Sequence, residues 1–149
     1  KNNKFKCLPE IEIAKDERGC LDIKVPYISD EVLKTNDLVE IFDDNSFQWL
    51  GRFDSVINSG GIKFIPEVLE KKLEKLIKKP FIISSKPDEK FGEKIVLVIE
   101  SEPFEIDLNL LNIELKKYEK LKEIIFIKEL PKTGNGKIKR IDVKIEINK

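Results

Sequence analysis

The chain has 149 residues, of which 40% are hydrophobic and 38% are charged, as is typical of a soluble globular protein with a heavily charged surface. Its 28 basic and 28 acidic residues balance, so no overall field attracts it to nucleic acid or to an anionic membrane. It contains no histidine, which excludes triads and metal sites built on that side chain. No apolar run approaches the roughly 20 residues that span a bilayer, and two cysteines, Cys7 and Cys20, do not make a disulfide framework. We therefore expect a cytoplasmic protein with no membrane span and no nucleic-acid partner.

The first part of the chain, residues 1–53, predicts short strands joined by turns. Four segments carry partly alternating or continuous apolar residues and fall into two pairs separated by polar turns, 8–14 with 20–25 and 38–42 with 47–50. Such pairs predict β-hairpins. We do not expect this β-rich segment to be a complete domain.

From residue 55 onward, predicted helices alternate with predicted strands. Pro66 opens an amphipathic helix to about Lys78, and Asp107 is positioned to cap a second helix. Apolar runs predict strands over 81–85, 94–100 and 123–130, a hairpin is predicted around 58–61, and 137–147 predict a final strand or a short helix-strand tail. The order β-β-α-β-β-α-β predicts an α+β fold with a three-stranded sheet, a hairpin and two to three helices.

Two glycine-containing loops are candidates for chemistry, although each is also a good turn sequence. In Ser59-Gly60-Gly61 the paired glycines permit positive φ and the close approach of a ligand. In the second loop Lys137 follows Asn135-Gly136, a favoured hairpin pair. A lysine on such a loop can deliver a point charge to an anionic ligand.

The second loop is not a phosphate-cradling P-loop. The glycine that this motif requires five residues before Gly136 is absent, and Ile138 replaces the serine or threonine that would contact Mg²⁺.

Three segments in register resemble the acyl-CoA synthetases of the adenylate-forming superfamily. Residues 51–63, GRFDSVINSGGIK, resemble the signature that opens the C-terminal domain of that family, and residues 118–140 resemble its closing signature, a strand followed by Leu-Pro-Lys-Thr-x-x-Gly-Lys-Ile-x-Arg. Residues 35–37, Thr-Asn-Asp, resemble its Thr-Gly-Asp, with Asn36 in place of the usual glycine. The resemblance runs from about residue 19 to 141 and, within the superfamily, is most similar to the o-succinylbenzoate–CoA ligases of menaquinone biosynthesis.

The resemblance implies a domain organisation. Residues 1–53 would be the β-rich remnant of a large N-terminal adenylation domain, Asp54 the hinge, and 55–149 the small C-terminal lid domain. The chain opens at Lys1 and contains nothing like the family's Ser/Thr/Gly-rich phosphate loop. We therefore expect a fragment that packs against its own N-terminal domain in the full-length enzyme and that is inactive alone.

The resemblance also implies an acid–CoA ligase that forms an acyl-adenylate and then a thioester. Its substrates would be a small-molecule carboxylic acid, ATP and CoA, with Mg²⁺, bound mainly through the N-terminal domain. Lys137 would be the catalytic residue of adenylate formation, while Asp37 and Arg52 would hold the ribose, with Thr35 in the same nucleotide site.

The remaining roles implied by the resemblance concern the second step. Ser59, Gly60 and Gly61 would form the loop that admits the pantetheine arm of CoA, with Lys63 assisting. No residue is expected to ligate a metal.

Three alternatives stay open. The chain could come from another acyl-CoA synthetase, from an adenylation enzyme that loads a carrier protein, or from a non-catalytic module of the same fold.

Overall fold

The computed structural model describes residues 4–149, which form two compact units, one ending at Asp54 and the other beginning at Ser55. Each unit contains its own sheet. No helix among residues 4–149 is long and apolar enough to cross a membrane.

The first unit is a five-stranded antiparallel sheet in the order β1-β5-β4-β3-β2. Its strands are β1 (Lys4–Lys6), β2 (Glu12–Lys15), β3 (Cys20–Lys24), β4 (Val32–Phe42) and β5 (Ser46–Arg52). The hairpins β2–β3 and β4–β5 confirm the two predicted pairs. Strand β1 was not predicted because its three exposed residues, Lys-Phe-Lys, carry too short a pattern to indicate a strand.

The second unit is built around a five-stranded mixed sheet with three helices. Its elements are β6 (Ile57–Ser59), β7 (Ile62–Phe64), α1 (Pro66–Leu73), β8 (Phe81–Asp88), β9 (Gly92–Glu100), α2 (Leu108–Ile113), β10 (Glu123–Ile127) and α3 (Arg140–Glu146). Strand β8 pairs with β9 antiparallel, and β10 pairs with β9 parallel. The hairpin β6–β7 joins β9 where Ser59 lies opposite Gly92. The α+β fold is therefore confirmed.

Strand β9 is buried on both faces because helices cover the sheet on each side. Ile95, Leu97 and Ile99 pack into one cluster with residues of α1 and α2, and Val96 and Val98 pack into another with Val143 of α3. These five residues of β9 are each at most 2% exposed. Burying an aliphatic side chain of this size contributes about 1.5–3 kcal/mol. The buried side chains of β9 therefore contribute strongly to the stability of the second unit.

One helix boundary differs from the prediction, and another agrees with it. Helix α1 ends at Leu73, not near Lys78, because residues 74–76 form a turn that carries Ile77 into the core and leaves Leu76 47% exposed. The second predicted helix begins as expected, since the Asp107 carboxylate accepts a hydrogen bond from the Asn109 amide at 2.8 Å.

The end of the chain is the helix α3 and not a strand. Val143 is fully buried in it, and Val143 and Ile147 lie four residues apart on the side that faces the second cluster. That spacing places both on one helical face. The alternation of apolar residues over 137–147 therefore comes from the end of a loop followed by an amphipathic helix.

Candidate functional site

The hairpin β6–β7 turns at Gly60 and Gly61, both of which have positive φ, 61° and 80°. This conformation is that of the tight hairpin turn that requires glycine. The Gly60 amide donates to the Phe91 carbonyl at 2.8 Å, and a Cβ at Gly60 would lie 3.1 Å from the Phe91 ring. A Cβ at Gly61 would meet nothing within 4 Å. The turn is thus tightly packed at Gly60 and open at Gly61.

A pocket of about 180 Å³ lies beside this turn. Its lining combines the turn, two aliphatic residues, two aromatic rings and three lysines: Ser59, Gly60, Ile62, Phe91, Ile95, Lys117, Tyr118, Lys120 and Lys122. No carboxylate lines it. The pocket therefore combines apolar walls with positive charge, as suits a partly apolar anion.

The predicted loop residues are placed unequally around this pocket. Ser59 and Gly60 line it, Gly61 lies next to it at the open side of the turn, and Lys63 is exposed on β7 opposite Asn58 and does not line it. The pocket lysines were not singled out from the sequence. Their signal was the cluster of basic residues around Tyr118, inside the segment that carried the closing resemblance.

The Lys137 loop is a closed turn held by hydrogen bonds of its own backbone. The Thr133 amide donates to the Lys137 carbonyl, and the Gly136 amide donates to the Thr133 carbonyl, both at 2.8 Å. The Lys137 amide donates to the Thr133 hydroxyl at 3.1 Å, and Gly136 has a φ of 81°. The loop thus presents the Lys137 side chain from a defined backbone.

The ammonium of Lys137 is exposed and has no hydrogen-bond or ion-pair partner within residues 4–149. Its neighbours differ, since Lys132 pairs with Glu100 at 2.8 Å and Lys139 pairs with Asp142 at 3.5 Å. The hydrogen bond from Lys132 holds the pKa of the Glu100 carboxyl below its ordinary value. The loop therefore offers one cation whose charge is not neutralised locally.

The residues directly after Lys137 are anchored by Arg140, the first residue of α3. Its Nη1 and Nη2 atoms contact the two carboxylate oxygens of Glu70 at 2.8 and 2.7 Å, and its Nε lies 3.2 Å from Glu67. Planar two-point contacts of this kind are specific to arginine. This anchor was not predicted from the sequence, although its signal was the scarcity of arginine, which supplies only three of the 28 basic residues.

Glu93 connects the Gly60–Gly61 hairpin to α3. Its carboxylate accepts hydrogen bonds from the Asn58 amide at 2.8 Å, the Ser85 hydroxyl at 2.7 Å and the Lys144 ammonium at 2.6 Å. Burial raises the pKa of Glu93, but the hydrogen bonds from Lys144, Ser85 and Asn58 outweigh it and leave the pKa below its ordinary value. No sequence pattern indicated this contact, because its partners come from three separate elements.

No hydrogen bond or ion pair joins the Lys137 loop to the Gly60–Gly61 hairpin within the described chain, so the two loops of the second unit are separate features on one frame.

In the first unit, the predicted nucleotide residues lie together where β4 and β5 pair. Asp37 is opposite Arg52, with 3.9 Å between their nearest charged atoms, and the Trp49 indole donates to Asp37 at 3.2 Å. Arg52 also contacts both oxygens of Asp54, at 3.2 and 3.1 Å. These hydrogen bonds hold the pKa of Asp54 below its ordinary value.

The Thr35 side chain bonds to backbone groups in this cluster. Its hydroxyl donates to the Leu21 carbonyl at 2.7 Å and accepts from the Asp37 amide at 3.1 Å. The Thr35 hydroxyl is therefore used in fixing the segment that carries Asp37.

No group of three or more His, Cys, Asp or Glu side chains among residues 4–149 is arranged to hold a metal ion.

The chain thus combines a β-rich unit with a small α+β unit that carries two exposed loops. Comparison with known proteins identifies the class of protein to which this arrangement belongs. No family model matches the chain. It is 32% identical over 113 residues to the 2-succinylbenzoate–CoA ligase of Lactococcus lactis, covering 74% of this chain and 25% of the relative. It is also 32% identical over 109 residues to the indoleacetate–CoA ligase of Aromatoleum aromaticum, covering 68% of this chain and 21% of the relative.

A solved structure gives the same result at the level of fold. A protein of Dyadobacter fermentans described as similar to AMP-forming acyl-CoA synthetases and AMP-acid ligases is 34% identical, with a TM-score of 0.55, over 97% of this chain and 43% of that one. The chain belongs to the adenylate-forming superfamily and corresponds to the C-terminal part of its acyl-CoA synthetases. It spans about a quarter of the length of the curated relatives that it matches.

Proposed function

We propose that this chain is the part of an ATP-dependent acid–CoA ligase that carries the catalytic lysine and the CoA-admitting loop. The observation that carries the proposal is a contrast in the 132–139 loop. Lys132 and Lys139 are ion-paired, whereas Lys137 between them has no ion-pair partner in the part of the chain that the structure describes. A cation left without a local counter-ion on an ordered turn suits a negatively charged ligand that arrives from elsewhere.

In the first step of the proposed reaction, a carboxylate oxygen of the acid attacks the α-phosphorus of ATP. A C–O–P linkage forms, the bond between the α-phosphorus and the oxygen that bridges it to the β-phosphorus breaks, and pyrophosphate leaves. Two anions must meet in this step, and the Lys137 ammonium offsets their repulsion where negative charge develops. We assign Lys137 to this step because its side chain is exposed and has no hydrogen-bond or ion-pair partner among residues 4–149.

We propose that Asp37 and Arg52 hold the ribose of the nucleotide. A carboxylate accepts hydrogen bonds from two adjacent hydroxyls, and a guanidinium donates to several acceptors at once. Asp37 is 36% exposed and Arg52 is 46% exposed, so both retain polar surface for a ligand. Thr35 belongs to this site through its hydrogen bonds to Asp37 and Leu21, which fix the backbone.

In the second proposed step, the sulfur of CoA attacks the acyl carbon of the adenylate and the thiol proton is released to water. A C–S bond forms, the bond between the acyl carbon and the phosphate oxygen breaks, and AMP leaves with that electron pair. We assign the Gly60–Gly61 turn to this step because a Cβ at Gly61 would project into open space that an extended arm could occupy. The adjacent pocket, with Lys117, Lys120 and Lys122 in its lining, suits the phosphates of CoA. Lys63 does not line it, which favours the pocket lysines over Lys63 as the charged contacts.

We propose Asp54 as the hinge between the two steps. It is the last residue of the first unit, and its carboxylate is held by Arg52 at 3.1 Å. Large rearrangements in such enzymes are absorbed by a few backbone dihedrals at element ends.

We propose o-succinylbenzoate as the acid, which would place the protein in menaquinone biosynthesis. Support comes from the motif resemblance and from the 2-succinylbenzoate–CoA ligase among the relatives. The indoleacetate–CoA ligase reaches the same identity, and an arylacetate is therefore the second acid to test.

The test is an assay of the full-length protein that carries this chain, supplied with ATP, CoA and one acid at a time. We expect AMP, pyrophosphate and the acyl-CoA thioester in equal amounts with o-succinylbenzoate. The release of ADP and phosphate, or no acid-dependent turnover of ATP with any carboxylic acid, would refute the proposal. Thioester formation with arylacetates alone would keep the ligase and replace the acid.

A further inference from the structure

Arg18 lies in the turn between β2 and β3, and its guanidinium contacts three acceptors at once. Nε donates to the Asp16 carboxylate at 2.8 Å, Nη1 donates to the Asn36 side-chain oxygen at 2.9 Å, and Nη2 donates to the Thr35 carbonyl at 3.0 Å. The last two acceptors are the residues directly before Asp37. A side chain from one hairpin therefore grips the segment that presents Asp37 on another strand.

The guanidinium is itself held in place from two sides. The Asp16 carboxylate accepts from the backbone amides of Arg18 and Cys20, both at 2.8 Å, as well as from the Arg18 side chain. The guanidinium carbon also lies 5.1 Å from the centre of the Phe53 ring, within the range of a cation–π contact. Because its own turn and the Phe53 ring fix the Arg18 side chain, its hydrogen bonds restrict the motion of Thr35 and Asn36.

Asn36 gives this contact its second acceptor. The resemblance leads us to expect glycine at this position, and glycine has no side chain to accept from Arg18. The segment 35–37 is therefore tied by two side-chain bonds that a Thr-Gly-Asp sequence could form only in part: the Thr35 hydroxyl binds the Asp37 amide at 3.1 Å, and Arg18 binds Asn36.

We infer that Arg18 is a positioning residue for the nucleotide site, acting through Thr35 and Asn36 to orient Asp37. The inference rests on the proposed role of Asp37 in holding the ribose. It predicts a specific kinetic signature, because disorder in the 35–37 segment weakens nucleotide binding and leaves the thioester chemistry of the second unit unaffected.

The experiment combines two readouts on Arg18→Gln and Arg18→Lys in the full-length protein. The first is steady-state kinetics with ATP and acid varied separately, together with the rate of thioester formation from supplied acyl-adenylate. We expect the KM for ATP to rise about tenfold in Arg18→Gln, since hydrogen bonds to charged groups are lost. The KM for the acid and the thioester rate should change less than about twofold.

Arg18→Lys should fail to restore the KM for ATP, because an ammonium cannot span acceptors on three residues in a fixed plane. The matched control is Lys24→Gln, which removes an exposed cation at the far end of the same hairpin, 3.7 Å from Glu12. Its kinetics should equal those of the unaltered protein.

The second readout is amide hydrogen exchange, which does not depend on activity. In Arg18→Gln the Asp37 amide should exchange about tenfold faster or more, while the ladder over residues 40–42, which pairs with β5, keeps its protection. Unchanged exchange at Asp37 would overturn the inference, even if the unaltered protein showed no ligase activity and the proposed function failed. Accelerated exchange across the whole sheet, or equal losses for ATP, acid and thioester formation, would show a general structural role and would also overturn it.

Discussion

Arg140 and Glu70 face each other between α3 and α1, joined by two N–O contacts of 2.8 and 2.7 Å between residues 70 positions apart in the chain. Glu70 also accepts from the Ile83 amide of β8 at 2.7 Å. One carboxylate thus ties a helix, a strand and the residue three positions after Lys137. The Arg140–Glu70 contact therefore contributes both to the stability of the second unit and to the position of the Lys137 loop.

The first prediction concerns that contact. Arg140→Gln removes a pair whose side chains are only 23% and 17% exposed, and breaking such a pair leaves the largely buried Glu70 carboxylate without its counter-charge. We expect the free energy of unfolding to fall by about 3 kcal/mol, measured by denaturant titration of this chain. Lys139→Gln is the control, because its pair with Asp142 is about half exposed and is worth less than about 1 kcal/mol. Equal effects of the two substitutions would contradict the assignment of Arg140 as the anchor.

The second prediction concerns acid stability and Glu93. Its pKa is lowered in the folded chain because the hydrogen bonds from Lys144, Ser85 and the Asn58 amide outweigh the opposing effect of burial. A lowered folded pKa adds stability that is present above the unfolded value, near pH 4.3, and is lost as the pH falls through the folded pKa. Glu93→Gln should therefore be less stable than the unaltered chain at pH 7, with the difference shrinking below about pH 4. Denaturant titrations from pH 3 to 7 measure this, and a constant difference over that range would count against the role of the charge.

The third prediction concerns the open side of the hairpin. Gly61→Leu places a bulky side chain where a Cβ meets no protein atom within 4 Å, at a φ of 80°. We expect thioester formation from supplied adenylate to fall at least about a hundredfold while adenylate formation is retained, with a stability cost of about 1–2 kcal/mol from the left-handed backbone. Gly61→Ala is the control for strain alone, since it imposes the same left-handed backbone penalty while its Cβ meets no atom within 4 Å. If Gly61→Ala impaired thioester formation equally, backbone strain would explain the result.

The fourth prediction concerns the lysines of the pocket. Lys122→Ala removes one cation from the pocket lining and should raise the KM for CoA about fivefold at low salt, as expected for a partly exposed charge contact. The effect should shrink as ionic strength rises, because salt screens such contacts. Lys78→Ala, an exposed lysine after α1, serves as the control. A change in the KM for ATP with no change for CoA would contradict the assignment of the pocket.

Much of the fold followed from local pattern. Alternation around Leu21 and Ile23 predicted the first hairpin, and Pro66 and Asp107 marked the starts of two helices that begin where expected. The sequence left residues 137–147 open between a final strand and a short helix-strand tail, because only Val143 and Ile147 face the core and two positions over so few residues fit either period.

The site was predictable only in part, and distance along the chain explains the limit. The identity of Lys137 as a candidate came from its glycine-flanked loop, but its freedom depends on Glu100 pairing with Lys132 instead, across 32 residues. The Arg140–Glu70 contact joins residues 70 positions apart, and the Glu93–Lys144 contact joins residues 51 positions apart. No local spacing encodes such contacts, so the folded unit was needed to find them.

The most direct test of the central claim is Lys137→Ala in the full-length protein, with the two half-reactions measured separately. Adenylate formation, followed by acid-dependent exchange of pyrophosphate into ATP, should fall by about 10²–10³, the usual effect of removing one donor from developing charge. Thioester formation from supplied adenylate should stay within about twofold, and Lys132→Ala, whose ammonium is already paired with Glu100, should spare pyrophosphate exchange by comparison. Equal losses in both half-reactions, or full adenylate formation by Lys137→Ala, would contradict the account.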